Sequence, residues 1–253
     1  MKIFEAFILG MVQGLTEFIP VSSSGHLLLL EKFGIGSPSV FFNLALHAGT
    51  LAAACAFYRK NVVAIIKKPF GREGLSLLAA TAVTGVLGLF ADFFLNDILE
   101  GRFLAAGFML TSVIILCAET LPDKNKQTNG ISPVRALVCG LSQGIAVIPG
   151  LSRSGATISA LLFMNTDREK AANFSFLLSM PVILAGFILE VAKNRAWSAG
   201  AQEIPPVMVG MLTAAVSGFF AVKGFVKFLK KRSMKSFAYY TAALAAACLF
   251  FRL

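Results

Sequence analysis

The sequence predicts an all-α polytopic membrane protein of about six transmembrane helices plus two re-entrant helix-loop-helix hairpins, arranged as an inverted-topology internal repeat. Three observations carry this prediction. The composition, 57% hydrophobic and only 14% charged, is that of a chain whose solvent is the bilayer. Apolar runs of about 20 residues, the length that crosses the hydrocarbon core as a helix, recur along it. A motif rich in Ser and Gly occurs twice, each time inside an otherwise apolar segment.

The first segment, 3–33, is broken by Pro20 and by the cluster Ser22 to Gly25, so it reads as helix, loop and helix rather than one span. It contains Gln13 and Glu17 and lacks an A-x-A-like cleavage site, and it is therefore expected to stay in the mature chain. Spans are expected at 39–58, 74–95 and 103–121. The segment 131–164, broken around Pro149, Gly150 and Ser152, reads as the second hairpin, and spans at 171–192, 204–222 and 236–253 complete the set. The whole of 1–253 is expected to be one membrane domain, with a first repeat over about 1–121 and a second over about 131–253.

The net charge of +10 sits mostly in short segments between apolar runs, which makes it a topology signal and not a nucleic-acid footprint. Arg59, Lys60, Lys67, Lys68 and Arg72, then Lys124, Lys126 and Arg135, then Lys223, Lys227, Lys230, Lys231, Arg232 and Lys235 are expected to face the cytoplasm. The segments with Asp92, Asp97, Glu100 and Arg102, or with Lys193, Arg195 and Glu203, are less basic and are expected to face outward. Cys55, Cys117, Cys139 and Cys248 show no metal-ligand spacing and read as core filler, while Glu119 and Glu190 read as interfacial charges.

GMVQGLTEFIPVSSSG (Gly10 to Gly25) lies over GLSQGIAVIPGLSRSG (Gly140 to Gly155) at a constant offset of 130 residues without a gap, and the same offset pairs Asn43 with Asn173. Three spans separate the two motifs, an odd number, so hairpins that enter from opposite sides would make the repeats inverted. Inverted repeats with broken helices are a transporter-like architecture, and irregular backbone at membrane depth needs a polar cavity around it.

The chemistry concentrates in the two loops. Gln13 and Glu17, at i and i+4, share a helix face and offer oxygen ligands to a divalent cation such as Mg²⁺ or Ca²⁺; a carboxylate in the membrane needs such a partner. Ser22, Ser23, Ser24 and Gly25 lead into His26, and an imidazole beside hydroxyls serves as general acid or base, or takes up a phosphoryl group itself. Ser23 is the preferred nucleophile and Ser22 the second. Ser152, Arg153, Ser154, Gly155 and Thr157 form a small-residue loop with one guanidinium, which reads as a phosphate cradle. His47, at mid-span in NLALHAGT, reads as either cavity lining or helix packing and stays outside the catalytic set.

QGLTEFIPVSSSGH and PGLSRSGAT resemble the two signature motifs of the bacitracin-resistance family, the undecaprenyl-diphosphate phosphatases, and the similarity runs along the whole chain. The resemblance implies hydrolysis of undecaprenyl diphosphate to the monophosphate that carries cell-wall precursors, in the bacterial cytoplasmic membrane; the site is expected to open outward because the first hairpin is expected to enter from that side. It implicates Glu17, Ser23, His26 and Arg153, with Ser22, Ser152 and Thr157 close by, and a divalent cation. The family's paired-acid motif has Glu or Gln at its first position, and here that is Gln13, which leaves Glu17 as the only carboxylate. Which of Ser23 and His26 attacks phosphorus stays open. The type 2 phosphatidate phosphatases have comparable S-G-H and S-R elements, but their second His has no counterpart after Arg153. A transporter or flippase of polyprenyl phosphate is the alternative function, and small residues along the spans permit a homodimer.

Overall fold

The computed structural model describes residues 1–36, 39–94, 102–120, 130–192 and 204–252, and among these every regular element is a helix. The described residues form eleven helices: α1 (Ile3–Phe18), α2 (Ser23–Lys32), α3 (Val40–Phe57), α4 (Arg59–Lys67), α5 (Arg72–Phe94), α6 (Leu104–Glu119), α7 (Pro133–Ile145), α8 (Arg153–Phe163), α9 (Arg168–Ala192), α10 (Ile204–Leu229) and α11 (Lys235–Phe251). Of the charges used above for topology, Asp97, Glu100, Lys124, Lys126, Lys193, Arg195 and Glu203 lie outside the described residues.

Four helices, α3, α5, α9 and α10, are long and apolar enough to cross a membrane. The other two expected spans fall on α6 and α11, which are apolar but have 16 and 17 residues. At 1.5 Å per residue such helices reach roughly 25 Å, a little under the hydrocarbon thickness. Both expected hairpins are helix, loop and helix: α1 stops before Pro20, and α7 stops before the Pro149–Gly150 turn, where Gly150 adopts a positive φ of 86°. One element was not foreseen. The basic stretch after α3 is a helix, α4, with no buried residue, carrying Arg59, Lys60 and Lys67 beside the exposed Val63 and Ile66. That is the make-up of a helix lying at a membrane surface.

Packing interleaves the two halves of the chain. α1 lies along α10 and α10 along α3; α7 lies along α5; α6 packs on α11; and α9 touches α3, α5 and α8. Phe18 meets Phe176 edge-on at 5.5 Å and Phe176 meets Phe225 at 6.1 Å, an aromatic seam through the largest buried cluster. Phe4, Phe93, Phe94, Phe220 and Phe250 point outward, as expected of surfaces that meet lipid.

Glu119 is not the interfacial charge that its span-end position suggested. It is buried, accepts both guanidinium nitrogens of Arg168 at 2.7 Å, and also accepts the Met234 amide at 2.9 Å, which ties α6, α9 and the start of α11 together. The cysteines divide: Cys139 and Cys248 are buried, whereas Cys117 is exposed and so is not core filler.

Candidate active site

The two loops meet. A Cβ on Gly25 would stand 2.6 Å from the Phe108 ring and 3.1 Å from Gly150 Cα, and one on Gly155 would touch Pro20 at 3.4 Å. Glycine at position 25 lets the first loop settle on the second. Each loop ends in a serine that caps the following helix: Ser22 Oγ accepts the Gly25 amide at 3.3 Å, and Ser152 Oγ accepts the Gly155 amide at 3.1 Å. Each capping serine is also near the serine two residues on, Ser24 at 3.4 Å and Ser154 at 3.3 Å.

Between the loops lies a cavity of about 300 Å³ whose lining includes Glu17, Ser22, Ser23, Ser24, Ser152 and Arg153. Glu17 is its centre. Its carboxylate accepts Gln13 Nε2 at 2.9 Å and Ser23 Oγ at 2.5 Å, and it is paired with the Arg153 guanidinium from the opposite loop. Ser23 and Arg153 are the first helical residues of α2 and α8 respectively. Two helix starts, one from each half of the chain, thus aim their first side chains at one buried carboxylate. An exposed pair of this kind contributes little, but here the carboxylate is shut away from water and each polar partner matters more.

Other predicted site residues take different places. Ser154, Gly155 and Thr157 are buried and do not line the cavity; Thr157 Oγ1 lies 2.6 Å from Ser175 Oγ and donates back to the Arg153 carbonyl at 2.8 Å, so its hydroxyl is spent on helix packing and on holding the Arg153 turn. The phosphate cradle of the second loop therefore reduces, on the cavity side, to Ser152 and Arg153. His26 also faces away from the cavity. Its Nδ1 donates to the Ser22 carbonyl at 2.7 Å, which leaves Nε2 to accept the Tyr240 hydroxyl at 2.8 Å, and the two rings stack at 5.6 Å. Ser22 has φ at 68°, a left-handed conformation that a residue with a Cβ resists, and its carbonyl is held by both the His26 amide and the His26 ring. In this structure His26 is a clamp on the strained residue next to Ser23.

The histidine at the cavity is His47. Its Nδ1 lies 3.2 Å from Gln13 Nε2 and 3.9 Å from Glu17 Oε1. Sequence reasoning left it between two readings because α3 is apolar around it and its offset mate, Leu177, carries no polar signal. Thr111 was missed outright: it accepts the Ser152 amide and donates to the Gly150 carbonyl, both at 2.8 Å, buttressing the second loop from α6. No motif marks a threonine in an apolar span.

A family model, that of the bacitracin resistance protein BacA, matches residues 6–247. The chain belongs to the BacA family. Relatives include an undecaprenyl-diphosphatase of Carboxydothermus hydrogenoformans, 41% identical over 98% of this chain and 97% of its own length. An undecaprenyl-diphosphatase of Treponema denticola is 40% identical over 96% of this chain and 95% of its own. Undecaprenyl-diphosphatase 4 of Bacillus thuringiensis is 39% identical with the same coverage. Membership of this family and the apolar helices together make the chain a multi-pass membrane protein.

Within this candidate site, the residues present would fit a hard divalent cation. Gln13 is fully buried, and with its amide nitrogen turned to Glu17 and His47 its Oε1 has no hydrogen-bond partner. That orphaned oxygen beside a carboxylate and a serine hydroxyl is the kind of oxygen set that Mg²⁺ or Ca²⁺ uses. Among the described residues no cluster of three or more His, Cys, Asp or Glu side chains forms.

Proposed function

We propose that this chain removes the terminal phosphate of undecaprenyl diphosphate, giving undecaprenyl phosphate and inorganic phosphate, and that it thereby recycles the cell-wall lipid carrier and confers bacitracin resistance. The names of its relatives support the substrate. The observation that carries the chemistry is the convergence of Ser23 and Arg153 on Glu17.

Ser23 Oγ attacks the terminal phosphorus while its proton passes to Glu17, the carboxylate it already touches. The bond from that phosphorus to the bridging oxygen breaks, the electron pair leaves on undecaprenyl phosphate, and Glu17 passes the proton it took from Ser23 to that leaving oxygen and is a carboxylate again. Water then attacks the phosphoseryl group with Glu17 as its base, which frees Ser23 and inorganic phosphate. Arg153 exchanges Glu17 for the phosphate oxygens and stabilises the charge that gathers there. His26 keeps the loop before Ser23 in its strained form and does not itself attack. Gln13 and Glu17 would hold a divalent cation, whose chemistry when bound is to neutralise diphosphate charge.

The fold supports a finer reading of the architecture. Two re-entrant hairpins related by an inverted repeat would exchange partners across the pseudo-axis; α1 of the first half rests on α10 of the second, and α7 of the second on α5 of the first, as that relation requires. The site then lies near the midplane of the bacterial cytoplasmic membrane and opens outward, opposite the basic segments. The same cavity supports transport of polyprenyl phosphate as a second reading.

Phosphate release from undecaprenyl diphosphate by purified protein, with and without a chelator, tests this. Ser23→Ala, Glu17→Ala and Arg153→Ala should each reduce turnover by at least about 10²-fold, and His26→Ala by less. Full activity in the first three sinks the site. Absence of phosphate release together with movement of polyprenyl phosphate across liposomes would favour the transporter.

A further inference from the structure

A cavity of about 330 Å³ opens at the end of the bundle where α4 carries Arg59, Lys60 and Lys67. Among the described residues it shares no lining side chain with the Glu17 cavity. Its wall includes Asn61 of α4, Arg72, Glu73 and Ser76 of α5, and Lys170 and Asn173 of α9. Arg72 is the first residue of α5 and Lys170 lies in the first turn of α9, so two cationic side chains and the positive ends of two helices come to one place. The Tyr58 hydroxyl donates to Asn173 Oδ1 at 2.8 Å, which leaves the amide N–H groups of Asn173 as what it offers a ligand. Ser76, buried in the same wall, adds a hydroxyl. Glu73 is the one carboxylate among the described lining residues, and two cations against one carboxylate leave a single positive charge.

One residue of this wall, Leu177, also lines a second cavity of similar volume among α3, α4, α5 and α9. That second cavity is apolar, and Ile66, Leu78 and Leu184 in its wall are exposed on the surface that meets lipid. α4 serves both: Asn61 faces the polar cavity, and Val62, Ile65 and Ile66 face the apolar one. A donor-rich, cationic chamber therefore stands at the membrane surface, backed by apolar wall that is open to the bilayer.

We propose that the polar cavity binds the headgroup of an acidic phospholipid, with the acyl chains passing Leu177 toward the exposed Leu78 and Leu184. The site is separate from the phosphatase centre, and its ligand is a phosphodiester with no anhydride to break. A phosphodiester carries one negative charge, which the single net positive charge of the wall balances. The Arg72 fork suits its two unesterified oxygens, with Lys170 as a point charge from the opposite helix. Glu73 accepts hydroxyls, as a glycerol headgroup supplies them, whereas a zwitterionic headgroup brings its own cation up to Arg72 and Lys170. Arg59, Lys60, Lys67 and Lys68 draw anionic lipid to this end of the bundle in general, and the cavity selects one molecule from that layer. A soluble phosphate offers the same oxygens and nothing for the apolar wall.

The test is native mass spectrometry of the detergent-purified protein titrated with phosphatidylglycerol, phosphatidylcholine or phosphatidylethanolamine, read as the dissociation constant of the first lipid retained. Phosphatidylglycerol should bind about tenfold more tightly than either zwitterionic lipid, and Arg72→Gln combined with Lys170→Gln should bring the ratio to about one. Lys67→Gln combined with Lys68→Gln removes the same charge outside the cavity and should leave the ratio in place. No preference in the wild-type protein, or a preference lost equally in both double variants, overturns the proposal. Displacement of phosphatidylglycerol by sodium phosphate at equal concentration overturns the lipid as the occupant.

Discussion

The two hairpins share a pattern of cap hydrogen bonds but differ in backbone and in chemistry: Ser22 has φ at 68° and its counterpart Ser152 has φ at −71°. Ser22 and Ser152 cap α2 and α8 in the same way, each near a serine two residues on. Gln13 and Gln143 occupy the same offset position, yet Gln13 donates to Glu17 whereas Gln143 reaches only Thr84, at 3.5 Å. Where the first loop has Glu17 the second has Val147, and where the first has Ser23 the second has Arg153. The lesson is that a matched pair of loops makes a site only once a carboxylate stands on one side alone. Ser23 and Arg153, equivalent by position, then meet on that single charge instead of each facing a copy of itself.

The loops also differ in what supports them. The second is held from α6 by Thr111, which takes one amide and gives one hydroxyl to it. The first carries the strained Ser22 and is held by His26, itself propped by Tyr240 of α11. At the offset position of Thr111 stands Thr241, whose hydroxyl bonds the Ala238 carbonyl of its own helix. Support by one short side chain and support through a stacked ring pair are different solutions to the same problem.

Three changes break or sharpen this comparison. The largest effect is expected from moving the asymmetry: Val147→Glu in a Glu17→Val background transfers the carboxylate to the second loop, next to Arg153 and away from Ser23. Phosphate release should fall at least about 10³-fold, because Ser23 loses its base, and activity near wild type would show that the carboxylate serves either loop equally. Thr111→Val should come next, lowering the thermal unfolding midpoint in detergent by an amount equivalent to about 1–2 kcal/mol, since it strands one amide and one carbonyl of the second loop. Unchanged stability would mean that the second loop needs no prop. Tyr240→Phe should be smallest: His26 keeps its bond to Ser22 and its stacking partner, so kcat should fall by less than about tenfold with KM unchanged. A loss as large as that of Ser23→Ala would make Tyr240 part of the chemistry and not of the clamp.

Much of the site was legible because function in a membrane protein appears as polarity where polarity is costly. Glu17, Ser23 and Arg153 interrupt apolar segments, and the offset of 130 residues announces that their loops belong together. The surroundings of His26 were not legible: its ring turns to Tyr240 of α11, 214 residues away, an orientation no spacing encodes. Glu119 was read as an ordinary interfacial charge because its partner, Arg168, is 49 residues distant.

By itself, then, the sequence determined the solvent, the two broken segments and the residue types that could handle phosphate, since composition, apolar run length and repeated motifs are local properties of a chain. Only the tertiary structure decided which side chains share the cavity. It brought Ser23 and Arg153 to Glu17, added His47 from α3 and Thr111 from α6, and turned His26 and Thr157 away. The reason is geometric: a helix face is fixed by its packing partners, and α1, α3, α5 and α7 each find theirs in an element far along the chain.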